Sequence, residues 1–251
     1  MQNSILSRKS LVPKRLGSFS GLIMASIVLL LWLTSLILLL RINIAQIPLI
    51  LIIFAVLGRT FLQTGLFITA HDAMHGTVYP KNRILNDGIG IISTRSYALL
   101  SYKRLLKKHQ LHHRYPASPK DPDFCKQGEN NPFIWYFRFM KGYLEGEQSW
   151  VLLIGMALIF GVFKWGFNIP ASNLFLFWVL PIFISSIQLF CFGIFLPHRR
   201  PKGGYQNRHR ARSIYYPTFL SLITCYHFGY HWEHHEFPHL PWYKLPSVVK
   251  K

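Results

Sequence analysis

The sequence predicts an all-α integral membrane protein with about four transmembrane helices in two hairpins and a histidine-rich cap on the cytoplasmic side. Three observations predict it. Four long apolar runs are nearly free of charge, the basic residues are confined to the stretches before, between and after the paired runs, and eight histidines fall in three tight groups.

The first run, residues 19–40, carries no charge. A bilayer crossing takes about 20 mostly apolar residues, and nothing polar in Leu29–Leu33 or Leu36–Leu40 would cover such a helix in water. The run is too long for the apolar core of a signal peptide, and no small-residue cleavage site follows it, so it is expected to be retained. The second span, residues 42–65, reaches bilayer length only by including Arg59, and the third, 150–167, only by including Lys164. The fourth, 174–197, needs no such help. The chain then reads as one domain, 1–251, with polar segments at 1–18, 70–148 and 198–251.

The net charge is +19, and every Lys and Arg except Arg41, Arg59 and Lys164 lies in those three polar segments. By the positive-inside rule all three are cytoplasmic, an arrangement that four spans produce without conflict. A nucleic-acid partner is not expected, because the spans divide the basic residues and no nucleic-acid motif accompanies them. Cys125, Cys191 and Cys225 are too few and too scattered for a disulfide scaffold or a Cys-based metal site. In the middle segment Pro116, Pro119, Pro122 and Pro132 mark turns. Residues 88–100 are weakly apolar and short, suited either to the interface or to a dip into the membrane and back.

The histidine groups are His71 with His75; His109, His112 and His113; and His231, His234 and His235. Residues i, i+3 and i+4 share one face of a helix, so each group is expected to point its imidazoles at one place. Neutral imidazole suits Fe, Zn, Cu and Ni, and eight such ligands suit two ions. A chance pairing would explain one group; three groups on one predicted side argue for a metal centre. His198, which ends the fourth span, and His227, four residues before His231, are added as candidate ligands. His209, among arginines, reads as a surface residue. The run His235-Glu236-Phe237-Pro238-His239 has the spacing of a zinc-protease helix, but Pro238 would break that helix. With nine Asp and Glu in the chain, Asp72, Asp121, Asp123 and Glu233 are better placed to orient imidazoles than to bind the metals themselves.

Three boxes of the forms H-x3-H, H-x2-H-H and H-x2-H-H around two membrane hairpins resemble the membrane fatty-acid desaturase and hydroxylase superfamily. His71-Asp72-Ala73-Met74-His75-Gly76, the run His109–Tyr115 with Asp121-Pro122-Asp123-Phe124, Leu196-Pro197-His198-Arg199 and the run Tyr226–His235 resemble its bacterial-type β-carotene ketolases. The likeness runs from about residue 65 to 246. It implies two iron ions (Fe2+) held by the eight box histidines, with O2 as co-substrate. The implied reaction converts β-carotene through echinenone to canthaxanthin by two oxygenations at carbon 4, with electrons from a donor such as ferredoxin. The basic face would dock such a donor, or bind anionic lipid. The abundant aromatics suit membrane-interface anchoring first and a polyene tunnel second. A carotenoid hydroxylase, or a fatty-acyl desaturase or hydroxylase of the same superfamily, is the alternative; a ketone, unlike a hydroxyl, extends the polyene's conjugation. A metal transporter would instead place its ligands near mid-bilayer, where these spans have no histidine.

Overall fold

The computed structural model describes residues 19–125 and 130–249. The expected cytoplasmic tail at 1–18 lies outside the described residues. Among those residues every regular element is helical: α1 (Ser20–Leu40), α2 (Leu49–Met74), α3 (Arg83–Ala98), α4 (Tyr102–Arg114), α5 (Pro132–Tyr143), α6 (Glu147–Gly166), α7 (Ala171–His198), α8 (Thr218–Cys225) and α9 (His231–Glu236). The last turn of α6 is π-helical, as are two stretches of α7, Phe175–Val179 and Cys191–Phe195. Four helices, α1, α2, α6 and α7, are long and apolar enough to cross a membrane, and they leave Leu30, Leu38, Phe54, Trp150, Leu158 and Phe183 exposed. That surface suits lipid, not water.

Helix length sets the height of the site. α2 has 26 residues and α7 has 28, about 39 and 42 Å at 1.5 Å per residue, against a hydrocarbon core of about 30 Å. Each helix therefore outruns the bilayer, and the surplus ends carry His71 on α2 and His198 on α7. α2 begins later than residue 42 because Pro48 stands at its N-cap; a short 3-10 turn, Ile44–Gln46, fills the connector, with the Asn43 side chain accepting from the Ala45 N–H. It also runs past residue 65, since no proline intervenes before Gly76 (φ +75°), the left-handed stop usual after a helix.

Polar groups hold the spans together from inside. Arg59 is 1% exposed. It donates to the Trp32 and Phe177 carbonyls (2.6 and 2.9 Å) and to Ser35 Oγ (2.8 Å), tying α1, α2 and α7. Phe177 lies in a π stretch, where the altered hydrogen-bond ladder leaves carbonyls to other donors. Arg59 thus faces the bundle interior and lines no part of the cavity described below. Asn173 donates to the carbonyls of Leu39, Leu40 and Ile42, completing the orphan end of α1.

α3 returns along α2: Asn86 Nδ2 donates to the Ala73 carbonyl, and Gln63 Nε2 to the Tyr97 carbonyl. The weakly apolar segment is therefore mostly helix, the later part of α3, packed back down α2 to about two turns below His71, and α3 exposes Ile84, Ile91 and Ile92. α4 then climbs to the level of the histidines. α1 is docked at the same end, where a Cβ on Gly21 would lie 2.5 Å from the Val78 carbonyl oxygen, in the turn after the first box. Gly21→Val is expected to destabilise the protein by about 1–3 kcal/mol through overpacking, read as a lowered Tm in detergent.

Candidate metal centre

Nine histidines converge above the spans, in two adjacent groups. His71, His75, His109, His113 and His234 form one, and His112, His198, His231 and His235 the other; within each, one ring nitrogen per residue lies within 4.8 Å of all the rest. His75 and His109 approach at 2.6 Å between Nε2 atoms, and His113 and His234 at 2.9 Å. In the second group His235 Nε2 lies 3.2 Å from His112 Nε2 and 3.1 Å from His231 Nε2. Two imidazoles at right angles on one ion, with bonds of about 2.0–2.1 Å, place their nitrogens about 2.9 Å apart. The groups abut through the stacked rings of His113 and His235, centroids 4.2 Å apart.

The division follows from helical geometry and corrects the expectation that each box serves one place. Residues i and i+4 are separated by about 40° around a helix, while i+3 and i+4 are about 100° apart. So His71 with His75, and His109 with His113, serve the first group, and His231 with His235 serve the second. The i+3 residues, His112 and His234, each cross to the other group. The second and third boxes thus straddle both.

The donor set fits a metal. Burial first, and neighbouring imidazoles second, hold His109, His113, His231, His234 and His235 well below the usual histidine range. Neutral imidazole is the ligating form. The buried Nε2 atoms of His71 and His198 have no hydrogen-bond partner, although each belongs to a group that could hold an ion. His198 donates Nδ1–H to the Arg210 carbonyl (3.0 Å), which assigns its tautomer and leaves the Nε2 lone pair free.

The four candidate orienting carboxylates divide by what they touch. Asp121 lies 3.0 and 3.1 Å from His112 Nδ1 and also accepts from the Ala117 and Asp123 N–H groups. Burial works against the charge on both partners, but their mutual attraction outweighs it, raising His112 and lowering Asp121. Asp72 is 3.7 Å from His71 Nδ1, too far for a hydrogen bond, and instead accepts from the Trp242 N–H (3.2 Å). Glu233, two positions after His231 and so on the opposite side of α9, receives Ser213 and Tyr215 and anchors that loop. Asp123 makes no hydrogen bond to an imidazole among the described residues. Its carboxyl, raised to about 6 chiefly by burial, lines the neighbouring cavity.

His227 departs from the expectation. Tyr226 and His227 both have φ in the left-handed region (48° and 60°), so the chain turns before α9 begins at His231, and His227 is not on the helix face of His231. Its ring stacks on Tyr230 at 5.7 Å, and it belongs to neither group. His209, expected at the surface, is half-buried, with Nε2 2.8 Å from Glu236 Oε2 and its ring 5.6 Å from His235. α9 ends at Glu236, and His239 is exposed beyond it, so the protease-like spacing forms no helix.

A cavity of about 340 Å³ opens beside the two groups. His71, His109, His112 and His231 line one end, and Phe67, Leu105, Leu189 and Phe228 its walls. Leu153 on α6 and Phe183 on α7 line it as well, and both are 59% exposed, so it reaches the lipid-facing surface between those helices. Sequence spacing gave no signal for Tyr143 or for these wall residues; Phe228 stood inside the third motif without a role.

The fatty acid desaturase family model matches residues 45–251. The chain is 42% identical over 205 residues to a β-carotene ketolase of Paracoccus sp. (strain PC1), covering 80% of each chain. It is 43% identical over 206 residues to a β-carotene ketolase of a second Paracoccus strain, covering 80% of this chain and 81% of that one. A zeaxanthin 4-ketolase of Chlamydomonas reinhardtii is 38% identical over 192 residues, 74% of this chain and 41% of that one. No solved structure matches.

Proposed function

The chain belongs to the fatty acid desaturase family, and from that footing we propose that it is a β-carotene 4-ketolase of the membrane, converting β-carotene through echinenone to canthaxanthin with O2 and a reduced electron donor. The observation that carries this reading, beside the identity to curated ketolases, is the apolar cavity that joins two abutting imidazole groups to a lipid-facing surface. A long polyene dissolved in the bilayer can enter there sideways and present one ring end to the histidines.

We assign one iron to His71, His75, His109, His113 and His234, and the second to His112, His198, His231 and His235. The choice of iron rests on the family, since imidazole alone does not select it. Iron bound there supplies the activation of O2 needed to oxidise a C–H bond. The residues themselves favour the neutral form of the imidazoles other than His112, fix the His112 and His198 rings through Asp121 and the Arg210 carbonyl, and surround the substrate's ring with apolar side chains that exclude water. Two oxygenations at carbon 4 give a geminal diol, which loses water to become the ketone.

The basic surroundings of the site support a cytoplasmic position for it. Lys103, Arg104, Lys107 and Arg114 are exposed on the outer face of α4, the helix whose inner face carries the second box. That face suits an acidic donor such as ferredoxin. Expression of the chain in β-carotene-accumulating bacteria is expected to yield echinenone and canthaxanthin. Unchanged β-carotene, with iron-loaded protein present in the membrane, would overturn the ketolase reading, and zeaxanthin would make the enzyme a hydroxylase.

A further inference from the structure

β-Carotene enters the cavity with no polar group. After one oxygenation its ring carries a hydroxyl, now enclosed by apolar side chains. A buried hydroxyl without a partner is unfavourable, and one bonded to a carboxylate is retained. The cavity offers one such carboxylate among its lining residues, Asp123, beside His109 and His112.

Asp123 is built into that place. Its N–H donates to Asp121 Oδ1 (2.9 Å) and its carbonyl accepts from Trp135 Nε1 (2.9 Å). The residue is 4% exposed. Tyr143 also lines the cavity, and Asp123 Oδ1 is buried without a hydrogen-bond partner. A carboxylate oxygen lies within 4.8 Å of a ring nitrogen of His112, and the residue lines the same cavity as His71, His109, His112 and His231. Asp121 orients His112; its neighbour two residues on lines the substrate's space.

We propose that Asp123 is a hydroxyl-binding subsite: its carboxylate accepts a hydrogen bond from the 4-hydroxy ring formed by the first oxygenation and keeps that alcohol in position for the second. The proposal rests on the ketolase reading and adds to it the reason that the ketone, and not the alcohol, leaves the enzyme. Asp123 forms no covalent bond in this role.

The test uses the full chain in membranes, with iron per chain measured in each sample. Asp123→Asn is expected to raise the ratio of released 4-hydroxy carotenoid to ketone roughly tenfold or more, the size expected for a hydrogen bond to a charged group. KM for added 4-hydroxy-β-carotene rises, while KM for β-carotene moves less, a split that a structural role would not produce. An unchanged ratio with both irons bound overturns the subsite and leaves the ketolase reading intact. Should the variant not accumulate, the wild type decides: its KM for 4-hydroxy-β-carotene is expected to lie roughly tenfold below that for β-carotene, and equal values overturn the proposal. A wild type that oxidises neither compound would instead remove the ketolase reading, and this subsite with it.

Discussion

His198→Ala is expected to abolish ketone formation as thoroughly as His112→Ala, although His198 stands outside all three boxes. Both belong to the group of four with His231 and His235, and His198 is 1% exposed with an unpartnered Nε2. A group of four tolerates the loss of one ligand less well than a group of five. Loss of an orienting partner alone costs about 10–100-fold in metal affinity or activity, so loss of a ligand should exceed 100-fold. Iron per chain should fall from two toward one in both variants. His239→Ala, altering an exposed residue beyond α9, should keep both irons and full ketone yield. His227→Ala should keep both irons too, because that ring packs on Tyr230 away from either group. Two irons and normal activity in His198→Ala would remove His198 from the centre, and iron lost from His227→Ala would restore the face argument made from its spacing.

The parts of this fold that were legible in the sequence are those decided by local chemistry. Charge-free apolar runs announced the spans, and the i, i+3, i+4 histidines announced a metal centre, because both signals repeat within a turn or two of helix. The ends of α2 differ from the expected span for a local reason too: apolar residues at Ile42 and Ile44 resemble a span until Pro48 is weighed as the cap, and the polar box residues mask a helix that continues to Met74. What spacing did not carry was the partition of the boxes. The 100° between His112 and His113, or between His234 and His235, becomes meaningful only once α4 and α9 lie against each other, and that packing is tertiary. The same holds for the carboxylates: Asp121 and Asp123 are neighbours in the chain with opposite duties, set by a turn whose N–H groups fold onto Asp121. His227 shows the converse failure, a helix-face argument applied across two left-handed residues that end the helix before it starts.

Asp121→Asn is the second large effect expected, a loss of about 10–100-fold in iron affinity or ketone formation. The carboxylate holds His112 Nδ1 between two oxygens at 3.0 and 3.1 Å, which fixes the ring with Nε2 toward His235, 3.2 Å away. An amide of the same shape keeps one acceptor oxygen but turns an N–H2 toward a neighbour that is itself a donor, or toward the Ala117 or Asp123 N–H. One buried donor must then go unpaired, whichever way the amide flips. The charge that strengthens the His112 bond is lost as well. Because the affected ligand belongs to the group of four, iron should be lost first from that site. Titration of the purified protein with Fe2+ should then show one tight and one weakened equivalent, where the wild type shows two tight ones. Ketone yield should recover in part when iron is supplied in excess, which separates an orienting role from a catalytic one. Equal weakening of both equivalents would mean that Asp121 supports the α4 turn as a whole and not the His112 ring.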